Sequence, residues 1–223
     1  AMIGVAVGLS AIPFYTIGMF APELSKEFGW SFASLMGSLA VQSVVVMFMS
    51  PLAGWAVDRF GARRVAMISL TLFGFTFMSL SLSNGSLWLY YGQWVVIAIV
   101  GAGTLSATWS RVVNGWFDRN LGIALGVAST GTGITGFLIK PLSAWLIVEF
   151  GWRAAFGVIG LIPIAIGLPV IAMLFRERTG DAPREKRDEC VAAQLRGEVR
   201  AEHGLTLSQA LRSPKFWVMG TTF

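Results

Sequence analysis

Apolar and polar positions alternate along this chain on the scale of whole segments. Six long apolar runs, about Gly4 to Pro22, Phe32 to Val57, Val65 to Leu82, Leu87 to Val112, Leu121 to Val148 and Ala154 to Phe175, are separated by short polar stretches. A helix that crosses a bilayer needs roughly 20 mostly apolar residues. The pattern therefore predicts an all-α membrane protein whose first 175 residues form six spans and return to the starting side. The first run has neither the basic start nor the small-residue cleavage site of a signal peptide, and is read as a true span. From Arg176 to Arg212 the chain turns charged, with EKRDE at Glu185 to Glu189, and is too polar for lipid. This is expected to be a linker. Thr206 and Gln209 have capping-box spacing, and Ser213-Pro214 offers an N-cap followed by Pro at the first helical position. Residues 213–223 are thus expected to begin a seventh, truncated span, making the sequence a fragment.

Composition strengthens this reading. The chain is 55% hydrophobic and 13% charged with a mean hydropathy of +0.67, against about 45–50% and 25% for soluble domains. Its net charge of +5 comes from 17 Lys and Arg against 12 Asp and Glu, but the cations gather between the apolar runs, which is membrane topology and excludes a nucleic-acid partner. The loops after the second, fourth and sixth runs carry Arg59, Arg63, Arg64, Arg119, Arg176, Arg178, Arg184, Lys186 and Arg187, whereas the other side shows only Lys26 and Arg153. By the positive-inside rule the N-terminus and the linker face the cytoplasm. Cys190 has no second thiol and His203 no partners, so no metal site, catalytic triad or cofactor is expected.

A repeat lies within the spans. Pro51, Leu52, Trp55, Phe60, Gly61 and Arg63 recur as Pro141, Leu142, Trp145, Phe150, Gly151 and Arg153, each 90 positions later. Three spans separate the copies, so they fall on opposite membrane faces. Two inverted three-helix repeats are how secondary transporters build two access routes around one midplane site.

The loop between the second and third runs reads GWAVDRFGARR, with Gly54, Asp58, Arg59, Gly61, Arg63 and Arg64 at its fixed positions. It closely resembles the signature loop of the major facilitator superfamily. That resemblance implies a six-helix N-terminal half of a twelve-span fold, whose partner is the missing C-terminal half. It also implies that these residues form a cytoplasmic latch. A basic inside loop alone would explain the arginines but not Asp58 between two glycines. Three further stretches, FAPELSKEFGWS from Phe20, GWFDRNLGIALGVASTGTG from Gly115 and SPKFW from Ser213, resemble the bacterial monocarboxylate porters and oxalate/formate exchangers, implying a small organic anion as cargo. Two positions depart from the family pattern: Gln93 stands where many members carry an arginine, and Leu121 replaces a common loop arginine.

Lys140 carries the most information beyond the resemblance. It lies nine positions before Glu149 in an apolar run, hence roughly 13 Å inside the outer end, where a cation costs at least ~2.5 kcal/mol and ordinarily faces a cavity or partner. It is the first candidate for contact with an anionic substrate, the alternative being a lysine snorkelling outward. Arg111, Tyr15, Trp109 and Gln93 are the other candidate substrate contacts, with interfacial anchoring or packing as the competing roles. Gly131-x-Gly133-x-x-Gly136 spells a dinucleotide fingerprint but no strand precedes it, so it reads as a helix-packing surface. The expected activity is secondary transport by alternating access across a cell membrane. A drug or hydrophobic-compound exporter of the same superfamily and a non-transporting receptor or scaffold are the alternatives. An enzyme would need a polar cluster at one depth, and none is visible.

Overall fold

A computed structural model of the chain describes residues 2–114 and 121–174. The linker, the expected start of a seventh span and the loop carrying Arg119 lie outside the described residues. Everything described belongs to one compact unit, and it is helical: α1 (Met2–Ala6), α2 (Ile12–Phe28), α3 (Phe32–Phe60), α4 (Ala62–Ser79), α5 (Leu87–Gly101), α6 (Ser106–Asn114), α7 (Leu121–Ile162) and α8 (Leu168–Leu174). A 3₁₀ turn follows α4, another separates α5 from α6, and a π-helical stretch from Pro163 to Gly167 joins α7 to α8.

Local chemistry sets the ends. Ser31 and Ser86 cap α3 and α5 by accepting from the backbone N–H of Ser34 and Leu89, the role for which short hydroxyl side chains are favoured. Gly29 closes α2 in the left-handed conformation at φ 69°, which a side chain would resist. Gly61 (φ 86°, ψ 145°) turns α3 into α4, and Gly151 (φ 80°, ψ 163°) breaks α7 into two spans. These two glycines are 90 positions apart. The predicted repeat is therefore present in the backbone, and also in its aromatic rings: Trp55 and Phe60 meet edge to face at 6.1 Å, and Trp145 and Phe150 at 5.7 Å.

Two predicted spans are not continuous. The first run is divided into α1 and α2 by a non-helical stretch at residues 7–11, with α2 passing Pro22 to end at Phe28, and the fourth is divided into α5 and α6 at residues 102–105. Backbone freed from a helix at membrane depth must be satisfied inside the protein. Here one side chain of the fourth span's break serves both spans. Thr104 Oγ1 accepts from the backbone N–H of Leu9 at 3.0 Å and donates to the Gly101 carbonyl at 2.8 Å, both within the core. Thr135 of α7 donates to the Ala6 carbonyl at 2.7 Å, where α1 ends. Absent side chains make room: a Cβ on Gly8 would lie 3.0 Å from the Thr104 carbonyl, and one on Gly101 within 3.0 Å of Leu9.

The third members of the two repeats, α4 and the last part of α7, are in contact through bare backbone. A Cβ on Gly74 would come within 2.7 Å of the Gly160 carbonyl, and one on Gly160 within 2.8 Å of the Gly74 carbonyl. Small residues let helices approach when lipid supplies no hydrophobic drive between them. An aromatic cluster, in which Phe20 stacks on Phe156 at 3.8 Å and Phe77 approaches it at 5.6 Å, fills the space toward the end of α2. The perimeter is apolar, with Met47, Trp88, Phe137, Val148 and Met173 all at least 74% exposed. Such a surface belongs in hydrocarbon.

Thr104→Val keeps the shape and removes the hydroxyl. It should lower the unfolding midpoint of the detergent-solubilised protein by an amount equivalent to ~1–3 kcal/mol, the cost of a buried donor left without a partner, while Thr104→Ser should remain near wild type.

Candidate functional site

Lys140 lies on the first span of α7, 11 residues before Gly151, hence about 16 Å from that end of the helix. Its ammonium sits over the ring of Tyr15 from α2, 5.4 Å from the centroid, a cation–π distance. Lys140 is exposed and Tyr15 half-buried in this unit. The two residues face an open surface at membrane depth. Tyr15 is also met edge to face by Phe14 at 5.4 Å, and its ring rests against Gly136, one helical turn before Lys140.

Of the remaining candidates, Trp109 and Gln93 have other neighbours. Trp109 is 1% exposed, with its ring over Gly4 and its indole N–H donating to the Thr104 carbonyl at 3.0 Å. Gln93 is half-buried; its amide donates to the Ser79 carbonyl at 2.8 Å and accepts from the Ser83 hydroxyl at 3.1 Å, so both ends are engaged with the end of α4. Arg111 belongs to α6, and its side chain lies outside the described residues.

At the opposite end of α3 from Ser31, the signature residues converge on the turn into α4. Gly54, Trp55 and Asp58 line a cavity of about 440 Å³ that reaches across to Leu105 and Thr108 beside the break in the fourth span. Arg59 lies over Trp55 and Phe60 at 5.7 and 5.9 Å. Arg63 donates to the Ala172 carbonyl of α8 at 2.6 Å, and Arg64 is exposed. The repeat extends to this contact: Arg63, at the start of the third span, reaches the end of the sixth, and Arg153, at the start of the sixth, reaches the Ser83 carbonyl past the end of the third at 3.5 Å.

The sequence reading missed Glu27. Beyond the apolar part of α2 its carboxylate accepts from Arg153 at 2.7 Å and from the Trp152 indole, while the Arg153 guanidinium lies 4.1 Å from the Trp152 ring centroid. The missed signal is the tetrapeptide EFGW, which occurs at Glu27 to Trp30 and again at Glu149 to Trp152, each with its glycine at positive φ. Phe28 of the first meets Trp152 of the second edge to face at 5.8 Å.

A model of the Major Facilitator Superfamily matches residues 3–223. The chain belongs to that family. As a superfamily member with apolar helices of membrane length, it is a multi-pass membrane protein. It is 26% identical over 94% of its length to the oxalate:formate antiporter of Oxalobacter formigenes and 28% identical over 84% to human monocarboxylate transporter 11. It is also 27% identical over 78% to the riboflavin transporter RibJ of Trypanosoma brucei brucei. The chain spans 47%, 40% and 31% of these three proteins, respectively, so less than half of each superfamily relative.

The Arg153 and Trp152 donors hold the Glu27 carboxyl below its ordinary range. A lowered folded-state value means that this contribution is complete above the unfolded carboxylate value of about 4.3 and fades as pH falls through the lower folded one. The difference in unfolding midpoint between wild type and Glu27→Gln in detergent should therefore be constant near neutrality and close in acid.

Proposed function

We propose that this chain is the N-terminal half of a twelve-span secondary carrier for a small organic anion, working by alternating access in a cell membrane with its N-terminus and linker in the cytoplasm. The observation that carries this reading is Lys140, a cation at membrane depth resting on Tyr15 and open on its other side. Among the described residues Lys140 has no carboxylate beside it; a charge at that depth is costly unless it faces water or a partner, and a bound carboxylate would supply one. Relatives named for oxalate, formate and monocarboxylate support the same class. The riboflavin transporter is the observation that favours a bulkier, less charged cargo, and a hydrophobic-compound exporter is the second reading.

Lys140 and Tyr15 are assigned to substrate contact. Trp109 and Gln93, whose polar atoms are engaged with Thr104 and with the end of α4, are assigned to holding the break and the outer helix ends that frame the site; Arg111 is kept as a second cation toward the inner end. The α3–α4 turn with Asp58, Arg59, Arg63 and Arg64 is assigned to a latch with the second half. The place of Asp58 beside a 440 Å³ cavity at this turn supports this, because a carboxylate is favoured near a helix N-terminus.

Uptake by the full-length carrier in vesicles tests both assignments. Radiolabelled oxalate, formate and lactate should be taken up and competed poorly by their amides. Lys140→Ala should reduce uptake at least tenfold, equivalent to ~1.4 kcal/mol or more, and Lys140→Arg should retain part. Full anion affinity in Lys140→Ala at matched insertion would falsify the anion assignment. Asp58→Asn should insert normally and slow transport; wild-type rates in that variant would remove the latch.

A further inference from the structure

We propose that Gly136 sets the size selectivity of the anion site by letting the Tyr15 ring lie against α7 directly beneath Lys140. This rests on the reading of Lys140 and Tyr15 as the anion contact. A Cβ at position 136 would fall 2.8, 2.9 and 3.1 Å from Cε1, Cζ and Cδ1 of Tyr15. All three nearest atoms belong to that one ring, so the gap is shaped for a side chain. Gly131, on the same helix, differs: its Cβ would meet the Met2 carbonyl oxygen at 2.4 Å, and it serves backbone approach. Gly133 has open space, with nothing within 4 Å.

Position 136 is one turn from Lys140, so the glycine and the lysine share a face of α7, and Tyr15 spans both. Lys140 Nζ is held 5.4 Å from the ring centroid. The ring's height above α7 therefore fixes how far the ammonium and the aromatic wall stand from each other and from any anion between α2 and α7. An added methyl drives the ring off α7. Tyr15 is only half-buried, so the ring yields into the open side, where the carbon body of a bound carboxylate would lie. Formate has no carbon beyond its carboxyl, oxalate has one and lactate two, so the obstruction should grow along that series.

The test is a double-mutant cycle in the full-length carrier reconstituted in vesicles, with radiolabelled formate, oxalate and lactate. Gly136→Ala should raise the half-saturation concentration for lactate about fivefold, the size of a displaced cation–π contact, raise that for formate less, and leave the maximal rate close to wild type. Gly133→Ala should change neither. In a Tyr15→Ala background Gly136→Ala should have no further effect, because the atoms it would strike are gone. Multiplicative effects of Gly136→Ala and Tyr15→Ala, or equal effects on the three anions, would overturn the proposal. If Gly136→Ala does not insert, rescue of insertion by Tyr15→Ala supports the ring gap, and failure of the double variant overturns it. Loss of anion uptake in Lys140→Ala with additive effects at 136 and 15 sinks only this inference. Undiminished uptake in Lys140→Ala, or no uptake of any of the three anions, sinks the anion reading together with it.

Discussion

A bilayer offers backbone amides no solvent, and the fold is built around one place where that demand is hard to meet. Both the first and the fourth spans leave the helical path, and a single threonine hydroxyl answers both. Thr104 accepts from Leu9 on one broken span and donates to Gly101 on the other. Its carbonyl takes the indole of Trp109, and Thr135 closes the remaining end at Ala6. Because a hydroxyl of the fourth span supplies the acceptor that the first span's break lacks, the two cannot separate without leaving the Leu9 N–H unmet in hydrocarbon. The position of α2, and with it Tyr15, depends on this stitch.

Around the stitch the two repeats meet through glycine. Gly74 and Gly160 bring α4 and the last part of α7 to backbone contact, and Gly136 does the same for a ring. The helix that supplies Lys140 is therefore fixed on both sides of its break at Gly151, by α4 beyond it and by α2 before it. A frame held on both sides is what a precisely placed side chain requires.

Much of this was legible in the residues. Run length gave the spans and the 90-residue repeat gave the turns, because a turn that needs positive φ demands glycine and Gly61 and Gly151 stand in register. The depth of Lys140 followed from counting. The breaks were hidden, since residues 7–11 and 102–105 are as apolar as a helix, and what permits them is a hydroxyl distant in sequence. Trp109 illustrates the same limit: an aromatic in a span reads alike whether it faces a cavity or a helix, and its place over Gly4 needed the three-dimensional structure. Gly136 was legible as a packing residue; that it packs a side chain rather than a backbone required Tyr15 in three dimensions.

The repeated aromatic turn also bears on how the protein enters its membrane. Trp55, Phe60 and Gly61 at one end and Trp145, Phe150 and Gly151 at the other adopt the same shape, yet the first carries Asp58 and Arg59 where the second carries Val148 and Glu149. The rings and glycines of these turns thus hold little information about which end is which. Sidedness is then left to the Lys and Arg of the loops, which bias insertion separately from the ring contacts that shape the turns.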